Sequence, residues 1–435
     1  MKLRDYQEAG VKHLMSQQRA LLLDDQGTGK TAQSVSALNR LGPKRAVIIC
    51  PSATRYGWEH ECKVWDTRGY RVHVMTRTTE WVPDAAQIVI VSYSLLGSRM
   101  IQDQLIKTKW GVMIIDEIHF CKSTKANRTQ VVLGGKKRGI AQNATYVWGL
   151  SGTPMTNSPI DLWPTMRALG RHTLPESAKT WDQYTRTFCN RFKSRFGHWD
   201  VSGSKNLPLL RKCMFDSGFA LRRTKEDVLT ELPEKTYNVV PMDVNKHGAE
   251  IKWGDTLRAA ELQKSTLGLG AAELAEARKD IAHDKLDAVI EYIQSTEEPV
   301  VVFGWHKEFL ERIASECDAA LYYGAMSPQE KENSKRRFLN GSARVFAANI
   351  QSAGTGLDGL QHRSAHAIFA EIPWTYAEIA QAADRLHRMG QKNPVLIDMI
   401  VMRGGVEEYI LRTVLKKEKR TCELLLDKEK LSSII

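Results

Sequence analysis

The chain has 435 residues, with 62 Lys and Arg against 50 Asp and Glu and a formal net charge of +12 at pH 7. Hydrophobic residues make up 42% and charged residues 26%, which excludes a disordered or collagenous chain and allows roughly two to four domains with cores of their own. The seven cysteines form no C-x-x-C pair, which argues against a disulfide framework or structural zinc and for a reducing compartment.

In chain order, Ala20–Leu23, Ala46–Cys50, Ile88–Val91, Val112–Ile115 and Thr145–Leu150 read as strands, short β-branched runs bounded by turn or polar residues. Thr31–Leu41 and Arg55–Trp65 between them read as helices. Such alternation predicts an α/β fold of parallel sheets with helices on both faces. It breaks at 245–285, where Ala/Glu/Lys/Leu-rich sequence, Ala271–Ile281 above all, predicts long helices. It resumes with strands expected at Pro299–Phe303, Ala320–Tyr323, Ala343–Ala347, Ala367–Ala370 and Val395–Val401. The expected organisation is a first lobe over 1–240, a helical segment over 241–285 and a second lobe over 286–435. The longest apolar runs, such as Val112–Ile115, fall far short of the ~18 residues of a membrane span. The charged start MKLRDYQEAG has no apolar core of a secretory signal.

Asp24-Asp25-Gln26-Gly27-Thr28-Gly29-Lys30-Thr31 follows a predicted strand and opens a predicted helix. Backbone N–H groups of such a loop can cradle phosphates at the positive helix terminus, Lys30 can reach the β- and γ-phosphates, and the Thr31 hydroxyl can ligate Mg²⁺. The strict phosphate-loop pattern has Gly where this chain has Asp24, and the plain alternative is a glycine turn. The second element is the strand Val112–Ile115 ending in Asp116-Glu117-Ile118-His119. Alone, two acidic residues after a strand form a solvated loop. Paired with Lys30-Thr31, Asp116 can hold Mg²⁺ and Glu117 can orient and deprotonate an attacking water. The two elements together read as a phosphoryl-transfer constellation.

Asp-Glu-x-His, Ser151-Gly152-Thr153-Pro154 and Gln381-x-x-x-Arg385-x-x-Arg388-x-Gly390-Gln391 together resemble the SWI/SNF-type DNA translocases of helicase superfamily two. Further motifs fall in the family's order. Leu3-Arg4-x-Tyr6-Gln7 resembles its adenine-reading motif, and Cys50-Pro51-Ser52, Ser92-Tyr93 and Lys122 resemble the next ones. Leu221-Arg222-Arg223-x-Lys225-x-Asp227-Val228 resembles the segment leaving the first lobe, and Tyr323-Gly324-x-Met326-Ser327 and Gly354-x-Gly356-Leu357 resemble motifs of the second. Asn349 and its neighbours, with Phe369–Trp374, look closest to the branch that contains annealing helicases. Asp358-Gly359 departs from the family's usual Asn-Leu.

The resemblance implies two RecA-like lobes with ATP and Mg²⁺ in the cleft between them. Arg4, Gln7, Gly27, Thr28, Gly29, Lys30, Thr31 and Gly356 would bind nucleotide, with Thr31 and Asp116 on the metal. Glu117, Asp116, Lys30, Gln381, Arg385 and Arg388 would carry the chemistry, the two arginines stabilising charge on the transferring phosphoryl group. Without the resemblance, Arg385 and Arg388 read equally well as a solvated helix face. His119, Ser151 and Thr153 would couple hydrolysis to the track, although a locally hydrogen-bonded His119 is the plain alternative.

The expected partner is duplex DNA, forked or branched DNA included, since a +12 chain suits sequence-independent phosphate contacts. Ser92 is one candidate contact, and Arg191, Lys193 and Arg195, interleaved with Phe188, Phe192, Phe196 and Trp199, are others. An amphipathic helix with those aromatics in the core explains the same pattern. A separate targeting protein is a further candidate partner. No membrane association is expected, and the expected location is cytoplasmic or nucleoid-associated. The function anticipated is an ATP-driven duplex translocase. Strand-separating or annealing helicases of the same superfamily, and an inactive nucleotide-gated DNA-binding module, are its rivals.

Overall fold

The computed structural model describes residues 2–193, 199–242, 271–353, 357–403, 406–429 and 431. It divides into two compact units, one of Met1–Thr230 with Arg420–Asp427, the other of Glu231–Lys419 with Lys428–Ile435.

The first unit holds β1 (Arg19–Leu22), β2 (Ala46–Cys50), β3 (Val72–Val74), β4 (Ile88–Ser92), β5 (Trp110–Ile115) and β6 (Ala144–Leu150), then β7 (Phe192–Lys193), β8 (Trp199–Asp200) and β9 (Ala220–Leu221). Seven of these form a parallel sheet in the order β3-β4-β2-β5-β6-β1-β9. Strands buried on both faces read as near-continuous apolar runs, and β2 (AVIIC) and β4 (IVIVS) are buried at every residue. Alternate residues serve opposite cores. Val47, Ile49, Val89 and Val91 join one, and Ala46, Ile48, Ile88 and Ile90 the other. Leu424 and Leu425, from the chain's last helix, are buried in the first of these cores.

The register sets the site. Ile115 lies beside Gly149 on β5 and β6, and Leu22 beside Leu150 on β1 and β6. The loops after β1, β5 and β6 therefore leave one edge of the sheet side by side, where open parallel sheets place ligands.

The second unit holds β10 (Lys235–Met242), β11 (Val300–Gly304), β12 (Ala320–Tyr322), β13 (Val345–Asn349), β14 (His366–Phe369) and β15 (Val395–Met402). They form a parallel sheet in the order β10-β15-β14-β11-β13-β12. Val301, Phe303 and Phe346 pack on one face, Val300, Val302 and Val345 on the other.

Two parallel-sheet α/β lobes match the fold read from sequence; their limits differ from the expected ones. Residue 240 falls inside β10, which pairs with β15 from Lys235↔Val395 to Met402↔Met242. Polar residues alternate along β10 because it is an edge strand, so its sequence lacks the apolar run that marked the others. The helix Ala271–Asp284 lies within the expected helical segment, and 243–270 lies outside the described residues. Among the described residues, no helix is long and apolar enough to cross a membrane.

Candidate active site

The loop Asp24–Thr31 is shaped by two glycines in the left-handed region, Gly27 at φ 78° and Gly29 at φ 79°. Gly29 caps the helix Lys30–Leu41, and a Cβ there would run into the Gln7 amide. Gln7 is itself fixed: its Oε1 accepts from the Arg4 backbone N–H at 2.9 Å and its Nε2 donates to the Thr28 carbonyl at 3.2 Å. The Tyr6 hydroxyl donates to the same carbonyl at 2.9 Å. The Lys30 ammonium folds over the loop, donating to the Asp24 and Asp25 carbonyls at 2.8 and 2.9 Å. Backbone kept clear of side chains, a helix N-terminus, a lysine and the neighbouring Thr31 hydroxyl form a set that fits a nucleotide polyphosphate and its Mg²⁺.

Asp24, where the strict pattern has glycine, is fully buried and ion-paired with Arg223, whose Nε donates to it at 3.0 Å. Arg222 does the same for Asp25 at 2.7 Å while also holding Asp427. Burial alone would lower the Arg222 pKa; Asp25 and Asp427 outweigh it and raise it. Two consecutive arginines thus grip two consecutive aspartates of the loop. Sequence reading quoted the arginines without this role; the adjacent pairs Asp24-Asp25 and Arg222-Arg223 were the available signal.

After β5, Asp116 accepts from the Trp58 indole N–H at 2.8 Å, and its carbonyl accepts from the Tyr93 hydroxyl at 2.7 Å. Burial, then the Glu117 charge, pushes the Asp116 carboxyl well above its usual range, while Trp58 and the Lys30 ammonium pull it down. A buried carboxylate held against that penalty is suited to a divalent cation, whose charge would reverse the shift. Glu117 sits at φ 48°, a left-handed conformation uncommon for glutamate. From there its Oε2 lies 3.2 Å from His119 Nδ1, and the Ser151 hydroxyl is 3.0 Å from the same nitrogen and 3.4 Å from the carboxylate. The Thr153 backbone N–H donates to Ser151 Oγ at 3.1 Å. The structure therefore brings Glu117, His119, Ser151 and Thr153 into one network.

In the second unit, Gln381 lies in the helix Tyr376–Ala383, and Arg385 and Arg388 follow it. Arg385 lies 3.5 Å from Asp358 Oδ1 and Arg388 pairs with the same oxygen. The departure from the family wording at Asp358 is thus a carboxylate that holds both arginines. Gly356 lies outside the described residues.

Residues 6–282 match the SNF2-related domain family and residues 284–390 the helicase conserved C-terminal domain. The chain belongs to the SNF2-related family. It is 27% identical to the human DNA annealing helicase and endonuclease ZRANB3, over 97% of this chain and 40% of that protein. It is 30% identical to the bovine SWI/SNF-related matrix-associated actin-dependent regulator of chromatin subfamily A-like protein 1, over 96% of this chain and 44% of that protein. The chain therefore spans about two fifths of the length of these relatives. Among solved structures, the Sulfolobus solfataricus SWI2/SNF2 ATPase core in complex with dsDNA aligns with 20% identity and a TM-score of 0.45, over 100% of this chain and 97% of that one. The SNF2-related chain is a helicase-like ATPase core.

The candidate track contacts are less uniform. Ser92 is fully buried, and its hydroxyl meets Ser94 at 2.9 Å, which meets Ser52 at 2.8 Å. The exposed hydroxyls at this end of β4 are thus those of Ser94 and Ser52. Arg191 is mostly buried and paired with Asp182 at 2.7 Å, Lys193 is exposed, and Arg195 lies outside the described residues. Lys122 donates to Thr156 Oγ1 at 2.9 Å, a link no sequence pattern announces.

Proposed function

We propose that this chain is an ATP-driven motor that moves along duplex DNA and remodels DNA or DNA–protein complexes. The observation that supports it most is the Glu117–His119–Ser151–Thr153 network, which joins the acidic segment after β5 to the segment that follows β6. In this reading Lys30 and the loop N–H groups bind the β- and γ-phosphates, and Thr31 and Asp116 hold Mg²⁺. The bound ion would neutralise phosphate charge. Glu117 orients the attacking water and accepts its proton, and His119 holds that carboxylate against Ser151. Arg385 and Arg388 stabilise charge on the transferring group. In this reading hydrolysis is tied to lobe movement.

The net charge of +12 supports a polyanion track read through its backbone, with weak sequence preference. ATPase rates should rise more with duplex DNA than with single-stranded DNA or RNA, and affinity should fall with salt by ~0.9 log units per log unit for each phosphate contact. A displacement assay on protein-blocked duplex, run beside unwinding and annealing assays on forked DNA, is the deciding test. Fork unwinding without stimulation by plain duplex would overturn translocation in favour of strand separation. Annealing is the second reading, supported by the similarity to ZRANB3, a protein named as an annealing helicase.

A further inference from the structure

The two edges of the first unit's sheet differ in charge. The five connections that lead from a helix into β1, β2, β3, β5 and β6 (17–18, 42–45, 66–71, 108–109 and 134–143) hold eight Lys and Arg against one Asp. The five that leave β1, β2, β4, β5 and β6 (23–29, 51–54, 93–98, 116–126 and 151–158) hold two Lys against four acidic residues. Because the strands are parallel, the first set lines one edge and the second the other, ~20 Å apart along the six-residue β5. A helix dipole favours cations only within its last turn. Arg68, Arg71 and Lys136–Arg138 lie beyond the preceding helices, which end at Trp65 and Leu133, so the dipole does not account for them.

The arginines of the basic edge are fixed but not neutralised. Arg45 Nη2 donates to the Pro83 carbonyl at 3.3 Å, Arg71 Nε to that of Ala85 at 2.8 Å and Arg138 Nη2 to that of Gln142 at 3.2 Å, and Arg68 Nε reaches the Asn39 carbonyl. Arg19, at the start of β1, donates to the Ala144 and Thr145 carbonyls at 3.1 and 2.7 Å. A carbonyl holds a guanidinium in place without cancelling its charge, and among the described residues none of these five is ion-paired. The loop with three consecutive basic residues is closed at its neck. Gly134 sits at φ 72°, a Cβ on Gly139 would meet the Gly134 backbone nitrogen, and Gln142 accepts from the Gly139 N–H at 2.7 Å while donating to the Leu133 carbonyl at 3.1 Å. Lys136, Lys137 and Arg138 at its tip are exposed, as are Lys44 and Lys109. From β3 to β1 the edge runs five strand spacings, ~24 Å, the length of about seven base pairs at about 3.4 Å each. A row of uncompensated cations of that length fits a phosphate backbone better than a single small anion.

We infer that the edge where β3, β2, β5, β6 and β1 begin is a second binding surface for duplex DNA, gripping its phosphate backbone on the side of the sheet away from the Asp24–Thr31 loop. This rests on the reading that the chain works on DNA and adds to it: the protein holds one duplex as its track and a second duplex segment on this edge, as a branched DNA would present. Protein is bound to a bead-tethered duplex, and capture of a second, fluorescein-labelled duplex is measured beside duplex-stimulated ATPase. The proteins are the wild type, the triple variant Lys109→Ala/Lys136→Ala/Lys137→Ala and the matching triple Lys→Arg variant, each verified as folded by a thermal melt. The alanine variant should capture about tenfold less second duplex, with a salt slope lower by about three, while its stimulated ATPase at saturating duplex stays within about twofold of wild type. The arginine variant should capture as the wild type does. No capture by the wild type, or equal capture by the alanine variant, would overturn the second surface. Equal losses of capture and of ATPase stimulation would place these lysines on the track itself. Displacement of the second duplex by polyglutamate as readily as by unlabelled duplex would reassign the edge to an acidic protein. Wild-type ATPase that no DNA stimulates would instead overturn the motor reading, and capture would still report on the edge.

Discussion

Arg222 and Asp427 are 205 residues apart in sequence, yet Arg222 Nε donates to Asp427 Oδ1 at 2.9 Å inside the first unit. The same guanidinium holds Asp25 of the Asp24–Thr31 loop at 2.7 Å, and Asp25 also accepts from the Lys225 N–H at 3.1 Å. The end of the chain thus completes the shell that fixes the loop. Asp427→Ala leaves a guanidinium with 7% exposure only partly neutralised, which should cost about 1–3 kcal/mol in a urea melt. The KM for ATP should rise with it, because Asp25 loses its anchored partner, and Asp427→Asn should be milder. A lower stability with an unchanged KM would limit Asp427 to packing.

Arg388→Ala should lower kcat by about 10³-fold with little change in KM, as expected for a charge that acts mainly in the transition state. Asp358 pairs with Arg388 and lies 3.5 Å from Arg385, so Asp358→Asn should also change kcat, by less. If Asp358 acts through Arg388, its substitution should have little further effect in the Arg388→Ala background. Full additivity in that double-mutant cycle would separate the two residues.

Much of this was legible in the sequence because parallel strands advertise themselves. Runs such as Val112–Ile115 must be apolar on both faces, and the chemistry sits where each run stops, at Asp116 and at Ser151. The half-polar edge strand β10 gave no such signal, which moved the domain limit. Asp427 and Asp358 were illegible for another reason. Their roles are ion pairs across long sequence separations, and a lone aspartate looks the same in a solvated loop. The two readings of the basic–aromatic stretch stayed open in the sequence because Phe192 and Trp199 share the spacing of buried aromatics such as Phe188, and only tertiary packing decides which rings find a core.

Asp398 gives the second unit a pH dependence. Burial would raise its pKa, but hydrogen bonds from His366 at 2.6 Å, Tyr292 at 2.8 Å and Asn238 at 3.0 Å outweigh burial and hold it below the usual aspartate range. A lowered folded pKa means stability that is present above the unfolded value of about 3.9 and is lost as pH falls through the folded one. The wild type should therefore exceed Asp398→Asn in stability at pH 7, and the gap should close in acid. Urea melts at pH 7 and near pH 3 check this, and a gap that does not change would show that Asp398 does not titrate differently on folding.

Glu117→Gln should bind ATP and fail to turn it over, because an amide cannot accept the water's proton; a loss of about 10²-fold or more in kcat is expected. Nucleotide binding by fluorescence titration beside single-turnover hydrolysis separates the two. Turnover near the wild-type rate would remove Glu117 from the role of base.

Ser151→Ala tests whether the site and the track communicate. The hydroxyl lies within hydrogen-bond reach of His119 and Glu117 and accepts from the Thr153 N–H, so it links the acidic segment to the strand end. Its loss leaves Lys30, Thr31, Asp116 and Glu117 in place, and basal hydrolysis without DNA should stay within a few-fold of wild type. What should fall is the ratio of DNA-stimulated to basal rate, since the strand end can no longer pass its state to Glu117 through this contact. His119→Ala should lower the same ratio, and the double variant should be no worse than the stronger single one, because both break a single link. Steady-state ATPase with and without saturating duplex, for the three variants, measures all of this. If Ser151→Ala lowered basal and stimulated rates by the same factor, Ser151 would be a support for Glu117 alone, and the connection to the track would have to run elsewhere.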